Sequence, residues 1–494
     1  MNQTQSSRTE LDYIYLTLKN LTILTNISAL LNWNQSTYMP LAAASGRGEQ
    51  IKLIESIIHK KWKSKRVIEA YEKANKESMT QKDCLVLKMF GKELTKRNKV
   101  PVTFTERLGM ARALSESAWQ NAKKNNNFEL FQDHLKKLVS LKQEYAKYIN
   151  KEKLPYDALL NEYEEGMTSE RLNVMFAYLK SELVTLRKKV IQFQTSIKKP
   201  LIKRTEHRKL IEEFIQTKLL IDKNSLAINV SMHPFTIRVS KNDVRITSRF
   251  RSIDSFFSAI HEAGHALYEL GLPKDYYYTQ VYSAPSTGLD ESQAMLWENN
   301  ICKNIHFWHH FYKEYKERTE ITGNLEEFYK YINLVKNDQL RVDADEISFI
   351  LHIIIRYEIE RDMINGVLKP VDAKKEWNNK CRELLGKEPV NDFEGILQDI
   401  HWAGGDFGYF PSYAIGMIYA SQIYRKMNEE INADKLLEEE NYELILNWLK
   451  EHIYSKGLVK SADDTVKEVC GQGLNPKIFI EYLKGKYSKI IMLF

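Results

Sequence analysis

The segment SAIHEAGHALYELG, residues 258–271, sets His261, Glu262 and His265 in the order H-E-x-x-H. In a helix, residues four apart share a face, so the two imidazoles can address one ion while the adjacent carboxylate reaches a bound water. A metal held in this way acidifies its water towards neutrality and polarises a carbonyl. Glu262 is then placed as the general base that takes the water's proton and returns it to the leaving amine. The chemistry is metal-assisted hydrolysis of a peptide bond. Two His and one Glu suit it, and the third ligand must come from elsewhere in the chain. Glu291, at the start of the apolar-periodic segment after the 273–288 connection, is the candidate, with Glu298 a weaker competitor. The alternative is that Glu291 only complements the positive end of its helix, with Asp290 as the cap. Zinc is the favoured ion, one per chain, although cobalt or another divalent ion can use the same donors.

The elements that must position these residues follow from periodicity. Phe256, Phe257, Ile260, Ala266 and Leu267 make the H-E-x-x-H segment a buried helix, with Ser252 or Asp254 as its cap and Gly271 and Pro273 as stop signals. With 11 prolines and 20 glycines in 494 residues, long segments run uninterrupted. Amphipathic helices are predicted from about Leu11 to Ile215 and again from Gln293 onward. Between Leu220 and Phe250 the residues turn to Val, Ile, Thr and Phe in alternation, with a turn signal at SKND. That predicts a small antiparallel sheet beside the metal, whose edge could pair with an extended peptide; a merely structural hairpin is the other reading.

The class is therefore mainly α: one large two-lobed domain, residues 1–494, with a small β region at about 220–250. No linker, repeat or low-complexity tract divides it. Lys plus Arg exceeds Asp plus Glu by 72 − 65 = 7, spread thinly, which argues against a nucleic-acid partner. Cys84, Cys302, Cys381 and Cys470 are too scattered for a zinc knuckle or a disulfide framework. With no leader pattern and no apolar run of membrane length recognised, a cytoplasmic protein without a membrane partner is expected.

Several segments together resemble the carboxypeptidase Taq family of zinc metallocarboxypeptidases. They are LNWNQSTYMP (31–40), HPFTIRVSKNDVRIT (233–247), HEAGHALYE (261–269), ESQ (291–293), LRVDADE (340–346), LHIIIRYEIE (351–360) and GILQDIHWAGGDFGYFPSYAIG (395–416). The resemblance implies an all-helical fold with a cleft, release of single residues from the free C-terminus of peptides, a cytosolic setting and a homodimer. It also implies that Glu291 completes the metal site. An arginine suits the substrate's terminal carboxylate through paired hydrogen bonds. Arg341 is the first choice and Arg245 the second, against salt bridges with Asp343, Asp345 or Asp243. His401 and Tyr409 are expected to stabilise the transition state or position substrate; Tyr413 is a further substrate-binding candidate, and His233 a part of the cleft wall. The family pattern is broken by Asp290 and Met295, where it has His and Arg, by Phe349 in place of Tyr, and by Asn34 in place of Asp. Two other functions compete: an oligopeptidase or dipeptide-releasing enzyme, and a catalytically silent peptide-binding scaffold that retains a metal.

Overall fold

The computed structural model describes residues 2–493 except 75–78, 195–196, 198, 203–206, 232, 251 and 337–339. The first succession of helices comprises α1 (Asn2–Thr37), α2 (Ala44–Trp62), α3 (Lys65–Lys73), α4 (Gln81–Lys99), α5 (Val102–Lys124), α6 (Glu129–Ile149), α7 (Pro155–Leu160), α8 (Ser169–Phe193) and α9 (His207–Thr217). Three strands follow: β1 (Leu226–Val230), β2 (Thr236–Ser240) and β3 (Asp243–Ser248). Next come α10 (Ile253–Gly271), α11 (Thr287–Met295), α12 (Ile305–Thr319), α13 (Leu325–Ile332), α14 (Glu346–Ile364) and α15 (Ala373–Leu385). The chain ends with α16 (His401–Gly404), α17 (Phe410–Ile431), α18 (Ala433–Glu438), α19 (Tyr442–His452), α20 (Ala462–Cys470) and α21 (Pro476–Leu493).

Local sequence explains many of the helix starts. Thr80 and Asp83 form a reciprocal capping box at α4, and Asn324 and Glu327 another at α13. At α10 the Ser255 hydroxyl accepts the Ser252 N–H at 3.2 Å, so Ser252 and not Asp254 begins that helix.

Apolar side chains collect in two clusters. The smaller is built by α1–α4, from Leu11, Ile14, Leu18 and Leu21 against Ile58, Trp62, Val86, Phe90 and Leu94. The larger takes in most of the remaining elements, with α14 buried along most of its length and Phe256 of α10 set among Phe214, Phe307, Trp308 and Phe311. Truncating a fully buried Phe of this kind costs about 3–5 kcal/mol. α1 corrects one expectation. Over Thr9–Thr37 it is apolar and long enough to cross a membrane, alone among the described helices. Its inner face nevertheless packs on α2–α4, while Leu16, Ile23, Ile27 and Leu30 remain exposed.

The sheet also differs from expectation. Its order is β1-β3-β2, with β2 antiparallel to β3 across the SKND turn but β1 parallel to β3, so it is mixed. β1 and β2 therefore flank β3 on opposite sides, and near the end of β3 Thr247 bonds both Ser231 and Phe235. β2 forms that edge, between α1 and α10.

Candidate active site

His261 and His265 lie one turn apart on α10, and α11 runs against that helix closely enough to aim Glu291 at both. Glycine makes this approach possible. A Cβ on Gly264 would stand 2.7 Å from the Ala294 Cα, and one on Gly416 of α17 would stand 2.9 Å from the Glu291 Cβ. α11 is thus pressed between α10 and α17. Its start is fixed by Ser286, which accepts from the Leu289 N–H at 3.1 Å, so Asp290 is not the cap.

Glu291 Oε2 lies 3.7 Å from His261 Nε2 and 3.8 Å from His265 Nε2. Donors bound to one tetrahedral ion at about 2.0–2.2 Å stand roughly 3.3–3.6 Å apart, so little movement separates this set from a ligand set. Oε2 of Glu291 is buried and has no hydrogen-bond partner. A buried carboxylate oxygen facing two imidazole nitrogens needs a positive charge beside it, from a proton on an imidazole or from a metal ion, and the donor set fits a divalent transition ion.

The other nitrogen of each imidazole is already engaged. His261 Nδ1 donates to Glu298 at 3.0 Å and His265 Nδ1 to Asp290 at 3.1 Å, which turns both Nε2 lone pairs towards Glu291. Glu298, the competitor for third ligand, is therefore an orienting group. It sits in a π-helical turn, Leu296–Ile301, that continues α11. Burial works against its charge, yet Lys303, 2.8 Å away, and His261 outweigh burial and hold the carboxyl down at about 2.

Glu262 is buried beside the cluster, and its Oε2 accepts the Thr236 hydroxyl at 2.6 Å. The same hydroxyl lies 3.0 Å from the Glu262 carbonyl oxygen, so β2 fixes both ends of that residue. Thr236 escaped the sequence reading, because a threonine opening a strand carries no chemical signal of its own.

On the opposite side, Tyr409 donates its hydroxyl to Glu291 Oε1 at 3.1 Å, and His401 Nε2 lies 3.4 Å from the Tyr413 hydroxyl. The structure thus brings His401, Tyr409 and Tyr413 together next to the His–His–Glu cluster. Burial pushes the His401 imidazole down to about 4, so it is neutral at physiological pH. Burial also raises the Tyr409 phenol well above its ordinary value, which keeps it a donor.

Arg341 lies in the same wall, its guanidinium 5.0 Å from the Tyr413 ring and 5.6 Å from Phe349. Nε and Nη2 reach one oxygen of Asp399 at 3.1 and 2.9 Å, and Arg356 takes the other at 2.6 Å. Its partner is thus Asp399, and neither Asp343 nor Asp345. Arg245 forms a two-pronged pair with Asp243 at 2.8 and 2.7 Å and lies 4.4 Å from the Trp33 ring, so the contacts seen for it are outside the His–His–Glu cluster. His233 is exposed to solvent.

A helical scaffold, a partly buried His–His–Glu cluster and a carboxylate held beside it define a metallopeptidase. The family model of the carboxypeptidase Taq (M32) metallopeptidases matches residues 14–487, and the chain belongs to that family. Carboxypeptidase 1 of Bacillus subtilis is 34% identical, covering 96% of this chain and 97% of its own. Thermostable carboxypeptidase 1 of Pyrococcus furiosus is 31% identical over 93% and 94%. The crystal structure of the M32 carboxypeptidase from Deinococcus radiodurans superposes with a TM-score of 0.93 at 28% identity, covering 98% of this chain and all of that one. The chain is a metal-dependent carboxypeptidase, a hydrolase of peptide bonds.

Proposed function

We propose that this carboxypeptidase releases single residues from the free C-terminus of peptides, with His261, His265 and Glu291 holding one zinc ion. The observation that carries the reading is the convergence of both Nε2 atoms on an unpartnered oxygen of Glu291, with Glu262 held alongside by Thr236. When bound, a divalent ion supplies Lewis acidity for the scissile carbonyl and acidifies a water. Glu262 takes the proton of the attacking water and delivers it to the departing amine. Tyr409 and the neutral His401 offer hydrogen bonds to the oxygen on which charge develops. Arg341 is the cation for the terminal carboxylate; Asp399 holds its guanidinium in place, and Tyr413 packs against it. Arg341, which packs against Tyr413, is the better of the two candidates, since Arg245 packs against Trp33. Similarity to the family also supports a cytoplasmic setting and a homodimer, and sedimentation of the purified chain checks the latter.

Mass spectrometry of an N-blocked peptide with a free or amidated C-terminus tests the reaction. Stepwise loss of single residues only from the free form, abolished by chelation, is expected. Internal cuts in both forms would point to an oligopeptidase, and silence after metal reconstitution to a binding scaffold. Glu262→Gln should lower kcat by at least about 10²-fold while metal content stays unchanged. A variant as fast as wild type would remove Glu262 from the mechanism.

A further inference from the structure

Outside the cluster described above, two more imidazoles and a carboxylate converge. His306 and His309 stand one turn apart on α12, and Glu438 closes α18 opposite them. Nδ1 of His306 lies 2.6 Å, and Nδ1 of His309 3.2 Å, from the same Glu438 oxygen, Oε1. The ring centroids are 5.8 Å apart, and the three residues can each offer a ligand atom within 4.8 Å of the other two. We propose that His306, His309 and Glu438 form a second metal site, which takes a divalent transition ion such as zinc and clasps α12 to α18.

The donor set selects the class of ion. Two imidazoles and one carboxylate oxygen suit zinc, cobalt, nickel or copper, whereas calcium and magnesium require a shell of oxygens. The triad is solvent-accessible, with side-chain exposures of 30%, 49% and 43%, so water can fill the remaining coordination positions and ions can enter from solution.

The backbone beneath the triad is already fixed. Asn304 accepts the His306 N–H at 3.1 Å, while its amide reaches the Tyr424 hydroxyl at 2.9 Å and Asp434 Oδ1 at 3.0 Å. Tyr424 donates to the same Asp434 oxygen at 2.5 Å, and Asn428 of α17 bonds the other at 3.2 Å. The start of α12, the last third of α17 and the start of α18 are tied together before an ion arrives, so binding has to replace the two His–Glu438 hydrogen bonds and reorder side-chain rotamers, with the backbone already in place.

A structural ion is the reading that the surroundings favour. The neighbouring acidic groups are otherwise engaged: Glu440 is paired with Lys218 at 2.5 Å and faces His310 at 3.5 Å, and Glu439 with Lys435 at 3.5 Å. The clasp would join the segment that follows the Glu298 turn to the segment that follows α17. It therefore bears on stability and leaves turnover alone.

The test compares the full-length protein with the double variant His306→Ala/His309→Ala, both equilibrated in micromolar free zinc, by counting metal per chain with plasma mass spectrometry. One ion fewer in the variant is expected, with kcat/KM unchanged and the zinc-dependent rise in Tm reduced. Equal metal content in the two proteins overturns the proposal. The readout is a difference, so an empty first centre in both proteins would count against that centre alone. Glu438→Gln, which keeps the size of the side chain, should lose the same ion, and its retaining the ion would count against the site.

Discussion

At the residue scale, the metal centre depends on carboxylates that do not touch the metal. Asp290 bonds His265 at 3.1 Å and thereby sets both the tautomer and the aim of the imidazole. Asp290→Asn should weaken metal binding about 10- to 100-fold while kcat at saturating metal changes little, measured by competition with a chelator of known affinity. Unchanged affinity would reduce Asp290 to a surface charge. The departure from the family's histidine at this position is thus occupied by a working group, and Asn34, another departure, accepts Arg47 at 2.9 Å to link α1 to α2. The H-E-x-x-H ligands are legible in sequence because helical periodicity alone puts both imidazoles on one face. Glu291 is less legible, since spacing cannot separate a ligand from a helix-end charge; in the structure the cap is Ser286, which removes that rival role for Asp290. The Arg245–Asp243 pair is local and could be anticipated. The Arg341–Asp399 pair closes across 58 residues and could not.

At the element scale, the segment 401–409 reaches the site because α14 anchors it from behind. Glu360 accepts the Tyr156 hydroxyl at 2.6 Å, the Trp402 indole at 3.0 Å and the Gly408 N–H at 3.2 Å. Burial pushes its carboxyl up to about 7. A folded-state value above the unfolded one favours folding most fully below about pH 4.5, and that contribution is lost as pH rises through about 7. Relative to Glu360→Gln, which does not titrate, the wild type should therefore lose roughly 2–3 kcal/mol of stability between pH 5 and 8. Urea unfolding of both proteins at the two pH values measures it, and parallel profiles would contradict the shifted carboxyl. The succession of helices is legible from long uninterrupted amphipathic runs. The parallel pairing of β1 with β3 is not, because alternation identifies strands but says nothing of which neighbours they choose.

At the scale of the whole molecule, the first metal centre belongs to the larger core. Its groups lie on α10, α11, the π-helical turn and the start of α17, while α1–α4 build most of a smaller core that Val281 joins. An ion at a hundred times its Kd stabilises the structure that holds it by about 2.7 kcal/mol. Calorimetry with and without chelator, in the His306→Ala/His309→Ala background, should shift the transition of the larger core and leave that of the smaller one in place. Equal shifts would mean that the two cores unfold as one.

α1 precedes in the chain the helices that cover it. Until Leu94 of α4 has been synthesised, Leu11, Ile14, Leu18 and Leu21 have an incomplete set of partners, and the nascent helix shows apolar residues on its inner and outer faces alike. Early in synthesis this helix therefore carries much of the chain's exposed apolar surface, which shrinks as the first four helices close on one another.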